Sequence, residues 1–203
     1  MAERCGWAGQ EPIYVAYHDS EWGVPEYDSR ALWEKLILDG FQAGLSWITI
    51  LKKRENFRAA FRGFDPDVIA TWGEAEVARL LDDPGIVRHR GKIEATIGNA
   101  RAWQRIEAAG GFDDFLWRYV DHRPLQNSWQ SLAEVPAFTP LSTRISKDLK
   151  KAGFRFCGPT IVYAFMQACG LVNDHLVGCP CHDWVAGLAR PRTAGARGPE
   201  RGP

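Results

Sequence analysis

Two thiols and two imidazoles at opposite ends of the chain, and one acid among crowded aromatic rings, are the residues whose types could do chemistry. Cys5, His18, His175 and Cys179 are the ligand set of a closed tetrahedral zinc centre. The spacing of His175 and Cys179 puts both on one side of a loop or helical turn, while Cys5 and His18 come from the far end. A shared ion would clamp the termini together. Scattered Cys and His residues also coincide without a metal, and Cys181 would compete with Cys179 as a ligand. Cys157 and Cys169, on apolar helical faces, read as small buried residues.

The second group is Trp7, Tyr14, Tyr17, Trp22 and Trp47, which crowd into the first fifty residues around Asp39. Aromatic walls and one carboxylate suit a planar ligand with N–H donors or positive charge, because rings stack and the acid accepts hydrogen bonds. The alternative is that the tryptophans are core and Asp39 caps the helix opening at Ser46 or bonds a nearby amide. An acid on an apolar stripe must be satisfied by something, since desolvating it alone costs several kcal/mol. A third group is the turn Gly85, Ile86, Val87, Arg88, His89, Arg90, Gly91, Lys92. Backbone amides at a helix start, with cations nearby, make an anion site for phosphate. A solvated basic turn would look the same.

Helices must position these residues. Asp28 or Ser29 can cap a helix from about Arg30, on which Leu32, Leu36, Asp39 and Ala43 share a face. A second is expected over Trp47–Phe61, with Ile48, Leu51 and Phe57 inward and Lys52, Lys53, Arg54 and Glu55 in water. Short helices are expected at Pro66–Trp72 and Glu74–Leu81, then longer ones over Lys92–Ala108, Phe112–Val120, Thr139–Lys151 and Pro159–Cys169. Residues 121–138 read as a surface loop, and alternating strand patterns are scarce. The expected fold is all-α, with residues 1–185 as one domain and 186–203 as a flexible Arg/Gly/Pro-rich tail.

Composition narrows the classes. The 203 residues suffice for one domain, or at most two small ones, with a real core. Lys plus Arg and Asp plus Glu are 25 each, which argues against the polybasic mode of nucleic-acid binding but leaves room for a local patch. The tail carries Arg190, Arg192, Arg197 and Arg201 against Glu200, so the body is slightly acidic. Its cations must therefore be concentrated, with Lys52, Lys53, Arg88, Arg90 and Lys92 as candidates and Arg101 as a further one. Five unevenly spaced cysteines, no N-terminal apolar run and no stretch of roughly 18 apolar residues fit a cytoplasmic thiol protein.

Long strings carry a resemblance. Arg4-Cys5-Gly6-Trp7, Tyr17-His18-Asp19 through Glu21-Trp22-Gly23-Val24-Pro25, and Gln42-Ala43-Gly44-Leu45-Ser46-Trp47 resemble the bacterial 3-methyladenine DNA glycosylase I family. The likeness continues through Leu51 to Glu55, Gly85 to Ile93 and Met166 to His175, covering about residues 3–182. It implies a helix-hairpin-helix glycosylase fold that flips a damaged base out of double-stranded DNA and hydrolyses its N-glycosidic bond. It also implies one structural zinc ion (Zn2+) on Cys5, His18, His175 and Cys179, tying the N- and C-terminal segments.

For the site, the resemblance implies Asp39, Tyr17 and Trp47 as catalytic, with Tyr17 and Trp47 sandwiching the base and Trp7, Tyr14 and Trp22 shaping the cavity. Gly85, Arg88, His89, Arg90, Gly91, Lys92 and Lys52 would hold DNA. The expected protein is a monofunctional, monomeric base-excision enzyme for 3-methyladenine. The family usually has Glu where this chain has Asp39, a reach shorter by about 1.5 Å. Ala164 stands where a serine is usual, and Phe41 where another polar residue often is. The alternatives are a non-catalytic lesion binder, because of Asp39, and a hydrolytic zinc enzyme unrelated to DNA.

Overall fold

The computed structural model describes residues 3–189, and it is built almost wholly of helices. In order these are α1 (Pro12–Ser20), α2 (Ser29–Gln42), α3 (Trp47–Ala60), α4 (Pro66–Ile69) and α5 (Glu74–Leu81). There follow α6 (Arg90–Ala108), α7 (Phe112–Trp117), α8 (Pro140–Ala152), α9 (Pro159–Ala168) and α10 (Pro180–Leu188). No helix among the described residues is long and apolar enough to cross a membrane.

The capping chemistry explains the boundaries. The Asp28 carboxylate accepts the Ala31 amide at 2.8 Å and opens α2. Thr139 and Ser142 cap α8 reciprocally, and Gly153 ends it with a left-handed φ of 108°. Helix α2 is the centre of the fold, buried on every side from Leu36 to Phe41, with α3, α6, α7 and α9 packed around it. Burial on all sides is why its apolar pattern is wider than one stripe. The core holds Trp33, Phe41, Phe57, Phe61 and Trp117, all fully buried.

Several expectations change in detail. Arg54 on α3 turns away from water to the Glu21 carboxylate at 2.7 Å, and Ile50 with Leu51, rather than Ile48, carries the inward face. The segment 121–138 is no plain loop. It contributes β1 (Leu125–Gln126), which pairs in parallel with β2 (Val172–Asn173), and a short 3-10 turn at Leu132–Glu134. Two-residue strands are too short to alternate visibly. Residues 186–188 of the expected tail belong to α10, which buries Val185 and continues to Leu188; the remainder of that expectation, residues 190–203, lies outside the described residues.

Helix α9 closes at Ala168 and Cys169, and Gly170 follows with a φ of 70°. A Cβ there would lie 2.5 Å from the Gly23 carbonyl oxygen and the Pro25 nitrogen. That close approach brings the segment after α9, which carries His175 and Cys179, against the one after α1.

Candidate functional site

Helices α1, α2, α3 and α9 enclose an open cleft of about 600 Å3 of empty space. The N-terminal segment and α1 supply Trp7, Tyr14 and Tyr17, the turn after α1 supplies Trp22, α2 supplies Asp39, and α3 opens on Trp47. All six residues singled out from sequence therefore converge. Trp7 packs on Tyr14 at 5.1 Å and on Trp22 at 4.9 Å between ring centroids. Tyr17 and Trp47 do not form a sandwich. Their centroids are 5.5 Å apart with planes at 45°, whereas a base between two parallel rings needs about 7 Å, twice the contact distance. The two rings meet in a corner against which a base would stack.

Asp39 is 3% exposed, and its Oδ2 has no hydrogen-bond partner among the described residues. It therefore caps no helix and bonds no amide through that atom. Burial pushes its pKa up to about 8 from the ordinary 3.8, while the Lys35 ammonium one helical turn earlier pulls it down. The Trp47 indole N–H is likewise buried without a partner. A donor and an acceptor, both unsatisfied and both on one cleft, are the polar groups a ligand would meet.

Behind the aromatic wall lies the Cys/His cluster. The donor atoms of Cys5, His18, His175 and Cys179 lie within 4.8 Å of one another, and all four residues are buried. Cys5 Sγ is 3.7 Å from His175 Nδ1, and Cys179 Sγ is 3.6 Å from His18 Nε2. Tetrahedral zinc bonds would place sulfur and nitrogen ligands about 3.5 Å apart, so the cluster fits that ion. The other nitrogens are fixed in the way metal-bound histidines are. His175 Nε2 faces the Trp22 carbonyl at 3.0 Å, and His18 Nδ1 faces the Asp19 carboxylate at 2.8 Å. Arg4 in turn pairs with Asp19 at 2.7 Å. Cys181 is no fifth member, since its sulfur approaches the far nitrogen of His18 at 3.9 Å. The Trp22 ring lies 4.7 Å from the His175 ring and so joins cluster and cleft.

The turn between α5 and α6 is tightly braced. Asp83 accepts the Gly85 amide at 2.7 Å, and Lys53 donates to the Pro84 and Gly85 carbonyls at 3.0 and 3.2 Å. His89 caps α6 by accepting the Lys92 amide at 3.2 Å. Gly91 lies beside that ring, with 3.3 Å between a built Cβ and the imidazole. Lys92 corrects the expectation of a surface cation. Its ammonium points inward and donates to the Phe41 and Ala43 carbonyls at 2.8 and 2.6 Å, capping the C-terminal end of α2. Arg101 is also turned to carbonyls, those of Ala70 and Trp72. Arg90 pairs with Glu74 and Glu94, and Lys52 with Glu11. Arg88 is exposed, and no ion pair engages it among the described residues.

Sequence reasoning missed Gln42, Leu132, Val135, Gln167 and Asp174, which also line the cleft. Gln167 had a visible signal, a lone amide in the apolar run of α9. Leu132 and Val135 had none, because they come from the segment read as a loop.

Comparison with known proteins agrees with this geometry. A family model described as methyladenine glycosylase matches residues 7–182. The chain is 59% identical to DNA-3-methyladenine glycosylase 1 of Escherichia coli (strain K12), over 89% of this chain and 97% of that one. A crystal structure of a 3-methyladenine DNA glycosylase I superposes with a TM-score of 0.87 at 58% identity, covering 89% of this chain and all of the other. A structure describing 3-methyladenine recognition by the Staphylococcus aureus enzyme superposes at 0.86 with 41% identity, over 88% of this chain and 95% of that one. With fold, cleft and sequence in agreement, this chain belongs to the methyladenine glycosylase family.

Proposed function

We propose that this chain is a monofunctional DNA-3-methyladenine glycosylase, which takes a flipped 3-methyladenine from double-stranded DNA into the aromatic cleft and hydrolyses its N-glycosidic bond. The observation that carries this reading is the buried Asp39 carboxylate with its unpartnered Oδ2 beside the Tyr17 and Trp47 rings. A methylated adenine in DNA is cationic, so its ring stacks well on electron-rich aromatic faces, and its positive charge beside the buried Asp39 favours release of the carboxyl proton, which makes the carboxylate its counter-charge. Excision of such a base needs little acid catalysis, because the leaving group departs as a neutral molecule. Water adds to the sugar C1′ as the C1′–N9 bond breaks; the bond's electron pair stays on the base, and the water's surplus proton passes to solvent. The cleft's contribution is to select, orient and stack the base.

Cys5, His18, His175 and Cys179 would hold one zinc ion, and four protein ligands leave no open position for hydrolytic chemistry. When bound, the ion supplies a cross-link between the segments bearing Trp7, Trp22 and His175. Arg88, with the α5–α6 turn and the exposed ion pairs of Arg90 and Lys52, would face the phosphates. Incubation of purified protein with methylated duplex DNA should release free 3-methyladenine without strand cleavage. Intact methylated bases after exhaustive incubation would contradict the proposal.

A further inference from the structure

A second buried acid lines the cleft and plays a different part from Asp39. Asp174, between β2 and the ligand His175, is 3% exposed. Its Oδ1 accepts the Asn127 amide at 2.6 Å and the Trp129 indole N–H at 2.9 Å. Its Oδ2 accepts the Tyr163 hydroxyl at 2.6 Å and the Gln167 side-chain NH2 at 2.8 Å. A carboxylate has about four acceptor sites, so Asp174 is saturated and has nothing left for a ligand.

The consequence falls on Gln167. A carboxylate only accepts, so the Gln167 amide must turn its NH2 toward Asp174 and its oxygen the other way. Gln167 lies on α9 beside Ala164 and Ala168, in the wall of the same cleft that Asp39 enters from α2. No partner engages the Gln167 Oε1 among the described residues. We infer that Gln167 is a specificity-determining residue: its Oε1, aimed by Asp174, and the Asp39 carboxylate form twin acceptors for the exocyclic amino group of the flipped base.

The inference rests on the glycosylase reading and sharpens it. An adenine amino group has two N–H bonds that diverge in the ring plane, and each can reach its own acceptor. A guanine or hypoxanthine ring has an oxygen at that place, which would face two acceptors with no donor between them. A site built to hydrogen-bond one group rejects an analogue that cannot reciprocate. Asp174 is the positioning residue, because a free Gln167 amide could flip and welcome the oxygen.

The test is the ratio of 3-methyladenine to 3-methylguanine released from one methylated duplex by wild type, Gln167→Met and Gln167→Glu, each checked for folding by its thermal transition. Methionine matches the length but has no strong acceptor, so the ratio should fall at least tenfold. Glutamate matches the length and keeps an acceptor oxygen toward the cleft, and should stay within about threefold of wild type. An unchanged ratio in Gln167→Met, or equal falls in both variants, overturns the inference while leaving the glycosylase reading intact. A wild type that releases neither base overturns both. If the variants do not fold, quenching of wild-type tryptophan fluorescence by free bases decides. Binding of 3-methylhypoxanthine at least tenfold weaker than 3-methyladenine supports the twin acceptors, and equal binding contradicts them.

Discussion

Asp39 is held ready for a ligand at the expense of stability, and that trade is measurable. Below about pH 4 the acid is protonated in both folded and unfolded chains. Between there and about pH 8 the unfolded chain has released a proton that the folded chain retains, so stability falls as pH rises. Above about pH 8 the loss is complete, on the order of 5 kcal/mol for a shift of this size. Asp39→Asn removes the titration. It should gain stability over wild type by several kcal/mol at pH 8.5 and by much less at pH 4.5, read from urea unfolding at the two pH values. A gap between the two proteins that does not vary with pH would mean that Asp39 is satisfied in solution. Asp39→Glu extends the reach by about one carbon–carbon bond and should alter excision modestly; activity appearing only in that variant would instead mark the native chain as a lesion binder.

Elements carry this residue into place by linking distant parts of the chain. The Cys/His cluster joins the N-terminal segment to the turn before α10, and Gly170 permits the close approach that makes it possible. One zinc per chain should be found by elemental analysis. Its removal by a strong chelator should lower the melting temperature by several degrees, with excision lost through loosening of Trp7 and Trp22. Turnover lost with an unchanged melting temperature would point to a hydrolytic metal instead. Much of this was legible beforehand. The Cys/His cluster, the aromatic group and Asp39 stand out by residue type, and the long helices by capping and periodicity. What could not be read is whatever depends on the direction of a side chain. The inward turn of Lys92 and the corner between Tyr17 and Trp47 follow from how α6 meets α2 and how α1 meets α3. The 121–138 segment hid its contribution because two-residue strands and a single 3-10 turn leave no periodic trace.

Over the whole molecule, formal neutrality means that DNA affinity depends on a few placed cations. Affinity for undamaged DNA should be weak and salt-sensitive. Arg88→Ala should lower the dependence of log K on log salt by about one, as expected for one phosphate contact. Lys92→Met should leave that slope unchanged, because the ammonium caps α2, yet it should destabilise the turn carrying Trp47 and reduce excision. A smaller salt slope for Lys92→Met would return that residue to the DNA surface. These parts converge on one claim, that the flipped base satisfies the buried carboxylate of Asp39. Single-turnover excision of 3-methyladenine from duplex DNA by wild type and Asp39→Asn tests it most directly. The wild type should release the base, and the rate should be lower by about 100-fold or more in the variant, which is folded and more stable. Equal rates in the two proteins would contradict it.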